Sequence, residues 1–490
     1  MDRIRNMFAK KKDAGDGQGY NPDQDERMPL ALEDDRSSYC SSLMEGVLED
    51  DNGAAPFSWF EYSIFVLIGV AMLWAWNMFM AAAPYFQMRF AEDASILAIF
   101  QSTIISVSTC TNLAAMLVLT NIQYSASYPF RINTALLINF IVFSLLTAST
   151  SIFLHVYTDV YLMFLVVMVA GSAWACGLLQ NGAFAYAASF GRPEYTQAIM
   201  AGQGIAGVLP PLAQMVTVLV FPPPATPGGE SVIKAQHAVP NIDIIAKAGT
   251  AAFYYFMTAV IISVATLIAF QPLSRRHDRI VENRMAQTLS ESMASIEDAE
   301  RAARRVVSLK TLFFKLHWLA LAVFICFVVT MFFPVLTPKV LSNRQPDSTG
   351  NPSSVPIILQ PPAFIPLAFF FWNLGDLLGR MSTMLSVPEV LQRRPVLLFA
   401  FGIARLLFLP LYFLCNIGGR GAIIDSDLFY LLLVQLPFGL TSGWLSSTAM
   451  MTAGEWVADG EREAAGGFMG LCLVAGLTVG SFLSFSVTHI

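Results

Sequence analysis

Two charged side chains stand where the sequence is otherwise apolar. The run Phe371-Trp372-Asn373-Leu374-Gly375-Asp376-Leu377-Leu378-Gly379-Arg380 places Asp376 and Arg380 at helical i, i+4 spacing, on one face. An ionisable side chain at mid-bilayer costs about 2.5–3.5 kcal/mol, so its presence asks for a use. A carboxylate accepts hydrogen bonds from hydroxyls and a guanidinium offers a rigid fork of donors, a pairing suited to the vicinal diol of a sugar. The same spacing also fits a structural ion pair with Arg380 snorkelling to the headgroups. Gly375 and Gly379, beside them, allow a neighbouring helix to approach closely.

Polar groups recur in other apolar runs. Leu73, Trp76 and Met80 share one helical stripe, either core packing or the wall of a ligand site, and Asn77 beside them needs a partner. Gln180 and Asn181 are adjacent amides, able to read the edge of a nucleobase or to bond a neighbouring helix. Arg131 opens another run and has the reach to snorkel to the membrane surface. Small residues recur along Tyr195–Gly207 and in the pairs Gly466/Gly470 and Gly476/Gly480, a pattern that permits tight helix packing. No catalytic signature accompanies them. The five histidines are scattered, and HExxH, GxSxG and P-loop patterns are absent, so an enzyme is not expected. The six cysteines form neither a CxxC pair nor a metal-like cluster. No cofactor is implied.

The elements that must position these groups are membrane helices. The chain has 490 residues, 55% hydrophobic and 13% charged, with mean hydropathy +0.57. Soluble domains carry roughly 25% charged residues, so this surface must face something apolar. Eleven runs reach the ~20 residues that cross a bilayer: 60–83, 95–120, 129–153, 158–190, 194–221, 250–272, 310–336, 361–385, 393–417, 426–452 and 463–488. The predicted class is all-α, a polytopic membrane protein of eleven transmembrane helices. Residues 1–56 read as a disordered tail without a signal-peptide core. Within it, Asp25–Leu30 partly resembles an acidic dileucine sorting signal, with Ala31 where a second Leu or Ile belongs.

The segment from 273 to 315 carries Arg275, Arg276, Arg279, Arg284, Arg301, Arg304, Arg305, Lys310 and Lys315. The loops near 222–249 and 339–360 hold only Lys234, Lys247, Lys339 and Arg344. Positive charge stays in the cytoplasm, which puts the basic segment and the N-terminus there and the C-terminus outside or in a lumen. The chain thereby divides into a six-helix bundle (57–272), a cytoplasmic linker (273–309) and a five-helix bundle (310–490). Such a division suits two bundles rocking about a central site. Ser290-Glu291-Ser292 reads as linker or as a phosphorylation target. No basic run is interleaved with aromatics on a soluble segment, so nucleic acid is not an expected partner. No obligate protein partner is implied.

Taken in order, Trp76-Asn77-Met78-Phe79-Met80, Pro193–Gly204, Asp376-Leu377-Leu378-Gly379-Arg380 and Gly439–Ser446 resemble the equilibrative nucleoside transporter family, over almost all of 60–488. The short connection after the first span, without a glycosylation sequon, is similar to a fungal-type branch. The resemblance implies a 6+5 arrangement like the major facilitator fold with one terminal span missing. It implies a substrate site of Leu73, Trp76, Met80, Arg131, Gln180, Asp376 and Arg380. In it Trp76 borders the substrate, Gln180 contacts the base, and Asp376 with Arg380 binds the ribose hydroxyls. The implied partners are a nucleoside and the lipid bilayer. Protons are left open, since burial can raise a carboxylate's pKa. A sugar or drug carrier and a non-transporting receptor are the other readings. The membrane is vacuolar or lysosome-like, or the plasma membrane.

Overall fold

The computed structural model describes residues 57–122, 127–153, 156–220, 242–291, 308–344, 356–385 and 393–484. The N-terminal tail, its partial sorting motif and linker residues 292–307 lie outside them. Eleven long apolar helices are present among the described residues. They are α1 Trp59–Ala81, α2 Ala94–Asn121, α3 Tyr128–Ile152, α4 Thr158–Ser189, α5 Pro193–Val220, α6 Ile242–Glu291, α7 Leu309–Thr330, α8 Pro361–Ser382, α9 Pro395–Ala404, α10 Leu436–Thr452 and α11 Arg462–Ser484. Short turns extend several of them: Ala83–Arg89 follows α1, Phe408–Tyr412 follows α9, and a wide π-type turn, Phe429–Gln435, leads into α10. The one β feature among the described residues is an isolated bridge between Val340 and Ile417.

The helix ends follow local chemistry. Asp93 caps α2 by accepting from the amides of Ser95 and Ile96, and Ser127 caps α3 through the Phe130 amide. Prolines open α5, α8 and α9, where a missing N–H costs nothing. Gly191, at φ 66°, supplies the left-handed residue that ends the turn between α4 and α5. The largest boundary difference from expectation falls in α6. The sixth run was expected to end at 272, but α6 continues to Glu291. From Leu273 to Glu291 the sequence has no Gly or Pro and carries four Arg, two Glu and two Leu, which favour continued helix.

The helices pack as two groups. In the first half α1 packs on α5, α3 on α4 and α6, and α2 on α4. In the second, α8 packs on α10, and α7 on α9, α10 and α11. Two seams join the halves: α5 against α8 and α10, and α11 against α2 and α4. Call the ends of α1, α4, α5, α6, α7, α9, α10 and α11 that adjoin the basic segment the basic face. There a single buried apolar cluster runs through both halves, from Tyr62, Phe184, Tyr195 and Phe270 to Leu316, Met450 and Phe468. Toward the opposite face the core divides. One cluster is built on Phe79, Phe86, Phe143 and Phe256. The other is built on Phe333, Phe364, Trp372 and Tyr430.

Two helix pairs approach most closely, α1 with α5 at Gly69 and Gly202, and α8 with α10. A Cβ on Gly375 or Gly379 would collide with the carbonyls of Leu436 and Leu440. One on Gly439 or Gly443 would collide with those of Trp372 and Asp376. Four glycines thus bring two backbones into contact, and the one beneath Gly443 belongs to Asp376 itself.

Candidate functional site

A cavity of about 190 Å³ lies between the halves, walled by α1, α2, α4, α5 and α11 and closed by Met331 just beyond α7. Its lining is mostly apolar, with Leu73, Trp76, Phe79, Val169, Val474 and Leu477. The polar groups are few: Ser108, Thr109, Asn112, Ser172, Gln180, Gln203 and Thr478. A small set of placed polar groups on apolar walls is the usual composition of a small-molecule site.

Three of the predicted residues, Leu73, Trp76 and Gln180, meet on this wall. Gln180 is buried, and its Oε1 accepts from Asn112 Nδ2 at 3.3 Å. Because Asn112 supplies that donor, the Gln180 side-chain NH₂ is oriented with its oxygen already engaged. Asn112 Oδ1 is buried without a partner among the described residues. Gly177 lets α4 come close enough to touch that oxygen, since a Cβ there would lie 3.1 Å from it.

Asp376 and Arg380 do not line the cavity. Both are buried, at 5% and 6% exposure, and Arg380 Nε donates to Asp376 Oδ2 at 2.7 Å. Arg380 is therefore a buried partner here and does not snorkel. Its Nη1 donates to the Met200 carbonyl at 3.0 Å and to Gln203 Oε1 at 3.2 Å. Gln203 also lines the cavity. It is the link between the open space and the charged pair, and its Nε2 faces Met72 Sδ at 2.8 Å. Asp376 Oδ1 is buried with no hydrogen-bond partner among the described residues. A buried acceptor left in that condition costs about 1–3 kcal/mol, more when charged, which a ligand hydroxyl would recover.

The remaining two predicted residues lie elsewhere. Met80 is 41% exposed near the end of α1. It shares Trp76's stripe, one turn nearer the break at Ala82, and is not among the residues that line the cavity. Arg131 is buried rather than snorkelling. It donates to the carbonyls of Leu119 and Ile122, the open end of α2, and to Asn181 Oδ1. Gln180 and Asn181 thus point two ways, about 100° apart as neighbours on a helix must be: one to the cavity, the other to Arg131. Asn77 bonds the Ala206 carbonyl at 2.8 Å and ties α1 to α5.

Sequence reasoning did not single out Asn112, Gln203 as a cavity residue, or Arg405. Arg405 is 1% exposed and ties α9 to its neighbours. It donates to the carbonyls of Cys326 and Phe438 and lies over the Phe438 ring. All three carried the signal that identified Gln180: a polar side chain inside an apolar span.

Comparison with known proteins adds three findings. A family model described as nucleoside transporter matches residues 163–489. Among curated proteins, the nucleoside transporter FUN26 of Saccharomyces cerevisiae is 29% identical over 464 residues, covering 86% of this chain and 83% of that protein. Human equilibrative nucleoside transporter 1 is 24% identical over 474 residues, covering 86% and 95%. Among solved structures, the major facilitator transporter FucP in its outward conformation superposes with a TM-score of 0.50. It shares 14% identity and covers 88% of this chain and 96% of that one, a likeness of fold.

Proposed function

The chain belongs to the nucleoside transporter family, and on that premise we propose that nucleosides cross through the cavity between its two bundles by alternating access. It is a multi-pass membrane protein whose function is nucleoside transport. The observation that carries the proposed site is the chain of contacts from Gln180 and Trp76 on the cavity wall, through Gln203, to Arg380 and Asp376.

The base lies against Trp76 and Leu73, with its edge read by Gln180 as oriented by Asn112. The ribose approaches Gln203. Its hydroxyls displace the Gln203 oxygen from Arg380 Nη1 and donate to the unpaired Asp376 Oδ1. This exchange satisfies a buried acceptor and loosens the Gln203 bridge that holds α5 to α8, so binding favours movement of the bundles. The bundles are 57–272 and 310–490, joined by 273–309. The basic segment lies in the cytoplasm by its charge, so the fused core closes the inner side and the split core faces outward or into a lumen. The acidic tail favours a vacuolar or lysosome-like membrane over the plasma membrane. No protein partner is needed.

The test is uptake of radiolabelled adenosine and uridine into proteoliposomes, wild type beside Asp376→Ala, with and without a pH gradient. Saturable uptake blocked by excess nucleoside but not by glucose, and lost in the variant, supports the site. Dependence on the gradient makes the carrier proton-linked, and independence makes it facilitative. Wild-type uptake that survives Asp376→Ala unchanged removes the carboxylate from the proposed site. No uptake above empty liposomes favours a non-transporting receptor.

A further inference from the structure

Two adjoining amides share the cavity wall, Gln180 from α4 and Asn112 from α2. Asn112 Nδ2 donates to Gln180 Oε1 at 3.3 Å, which leaves the Gln180 NH₂ as the group offered to a ligand. The hydroxyls around the pair are less free. Thr109 donates to the Ile105 carbonyl at 2.6 Å, Ser172 to Asn139 Oδ1 at 3.1 Å, and Thr478 to the Val474 carbonyl at 2.8 Å. With their protons engaged, these three can accept from a base but not donate to it. The amide pair keeps both roles.

That pair is close to balance between two orientations. The oxygen and NH₂ of an amide are nearly the same size, and the torsion that exchanges them is two-fold. If both side chains turn over, Gln180 Nε2 donates to Asn112 Oδ1, and the bond between α2 and α4 is kept. The Gln180 oxygen then faces the cavity. Asn112 has little reason to resist. Its Oδ1 is buried with no partner among the described residues, close against Gly177 of α4. Turned over, its NH₂ meets the same wall, so each orientation sets one Asn112 group against Gly177 at comparable cost.

The bases differ at a position such an amide can read. Adenine and cytosine carry an amino donor where guanine, hypoxanthine and uracil carry a carbonyl acceptor. We propose that the Gln180–Asn112 pair turns over as a unit, so that Gln180 donates to oxo bases and accepts from amino bases, and one cavity carries both classes of nucleoside. Asn112 is a positioning residue. It acts through Gln180, holding it in whichever orientation the base selects. The inference rests on the base lying against Gln180, as proposed above.

The experiment measures inhibition of labelled adenosine uptake by the full-length protein in proteoliposomes. Two pairs of competitors differ at this position: adenosine with inosine, and cytidine with uridine. One hydrogen bond is worth about fivefold in affinity. Wild type should hold each pair within that factor, and a wider gap in either direction would reveal a fixed reader and overturn the proposal. An ionised Asp accepts only, so Asn112→Asp locks the Gln180 oxygen toward the cavity. The ratio of the inosine to the adenosine inhibition constant should then rise about fivefold or more, and that of uridine to cytidine likewise. A purely structural Asn112 would leave both ratios at their wild-type values, which also overturns the proposal. Asn112→Leu keeps the volume and removes both roles, and should weaken all four competitors alike; undiminished binding would deny Asn112 any part. Gln180→Leu separates the reader from the site. If it changes none of the four, the base does not lie at this wall and the site itself is misplaced. If it weakens them while the Asn112→Asp ratios stay at wild type, only the reader fails.

Discussion

The two ends of the molecule are built on different plans. At the basic face, side chains from both halves enter one core, and polar bonds cross the seam as well. Gln197 Nε2 donates to the Arg380 carbonyl at 3.1 Å while its Oε1 accepts from Tyr62, so α1, α5 and α8 are tied together. Toward the opposite face each half keeps its own aromatic cluster. The polar network there stays within the second half: Tyr412, Tyr430 and Thr337 all meet Gln435. A carrier needs two gates that are never open together. Here the closed gate is the one where cores have fused, and the other end is two stable units that can meet without either being remade.

The largest expected effect comes from forcing α8 and α10 apart inside the second half of the fused gate, at the contact beneath the charged pair. Gly443→Leu puts a branched side chain into the Asp376 carbonyl, where even a Cβ does not fit. Backbones cannot yield as side chains do, so the cost exceeds the ~1–3 kcal/mol typical of overpacking. Loss of folded protein, read by thermal melting in detergent, is expected, and Gly443→Ala should fold poorly with uptake reduced severalfold. Gly454→Ala, where a Cβ meets nothing within 4 Å, is the control and should leave both unchanged. A well-folded, fully active Gly443→Leu would show that α8 and α10 do not depend on this contact.

How far the sequence carried this comparison depends on the kind of residue. Eleven spans were legible because ~20 apolar residues can do little else. The α8–α10 contact was half legible: Gly375 and Gly379 were marked for close approach, but their partners Gly439 and Gly443 lie a full loop and span away. Direction was harder to read. Met80 and Trp76 share a stripe by spacing, yet α1 ends one residue after Met80. Arg131 had the reach to snorkel, but the open carbonyls of α2 took its donors. Gln203 lay within a segment read for its small residues, and its place between cavity and Arg380 depends on how α5 meets α8. The fusion of the cores left no local trace, because it is a relation among helices distant in sequence.

A middle-sized effect is expected from cutting the polar tie at the same gate. Gln197→Leu removes the bond from Tyr62 and the bond to Arg380 while keeping the volume. A net hydrogen bond across the seam is worth about 1 kcal/mol, or about fivefold in the ratio of closed to open. Met451 lines a small pocket between the ends of α4 and α10 at this face. In a Met451→Cys background, a membrane-impermeant thiol reagent applied from the basic side should react about fivefold faster when Gln197 is Leu. An unchanged rate would mean that apolar fusion alone holds the gate.

The smallest effect belongs to the opposite face. Asp93 caps α2 there, and its hydrogen bonds from the Ser95 hydroxyl and the Ile96 and Ser95 amides hold its carboxyl below the usual carboxylate range. A depressed folded-state pKa means that the cap's contribution is complete above the unfolded value, about 3.9. It is lost as pH falls through the lower folded value. Asp93→Ala should therefore lower the melting temperature slightly at pH 7, and the difference from wild type should vanish in strong acid. Because the first half holds α2 against α4 within its own core, the gate at the basic face should not respond, and thiol labelling at Met451→Cys should stay the same. If Asp93→Ala altered labelling there as much as Gln197→Leu, the two ends would be coupled through α2 itself, and α11, which packs on both α2 and α4, would be the element carrying the change.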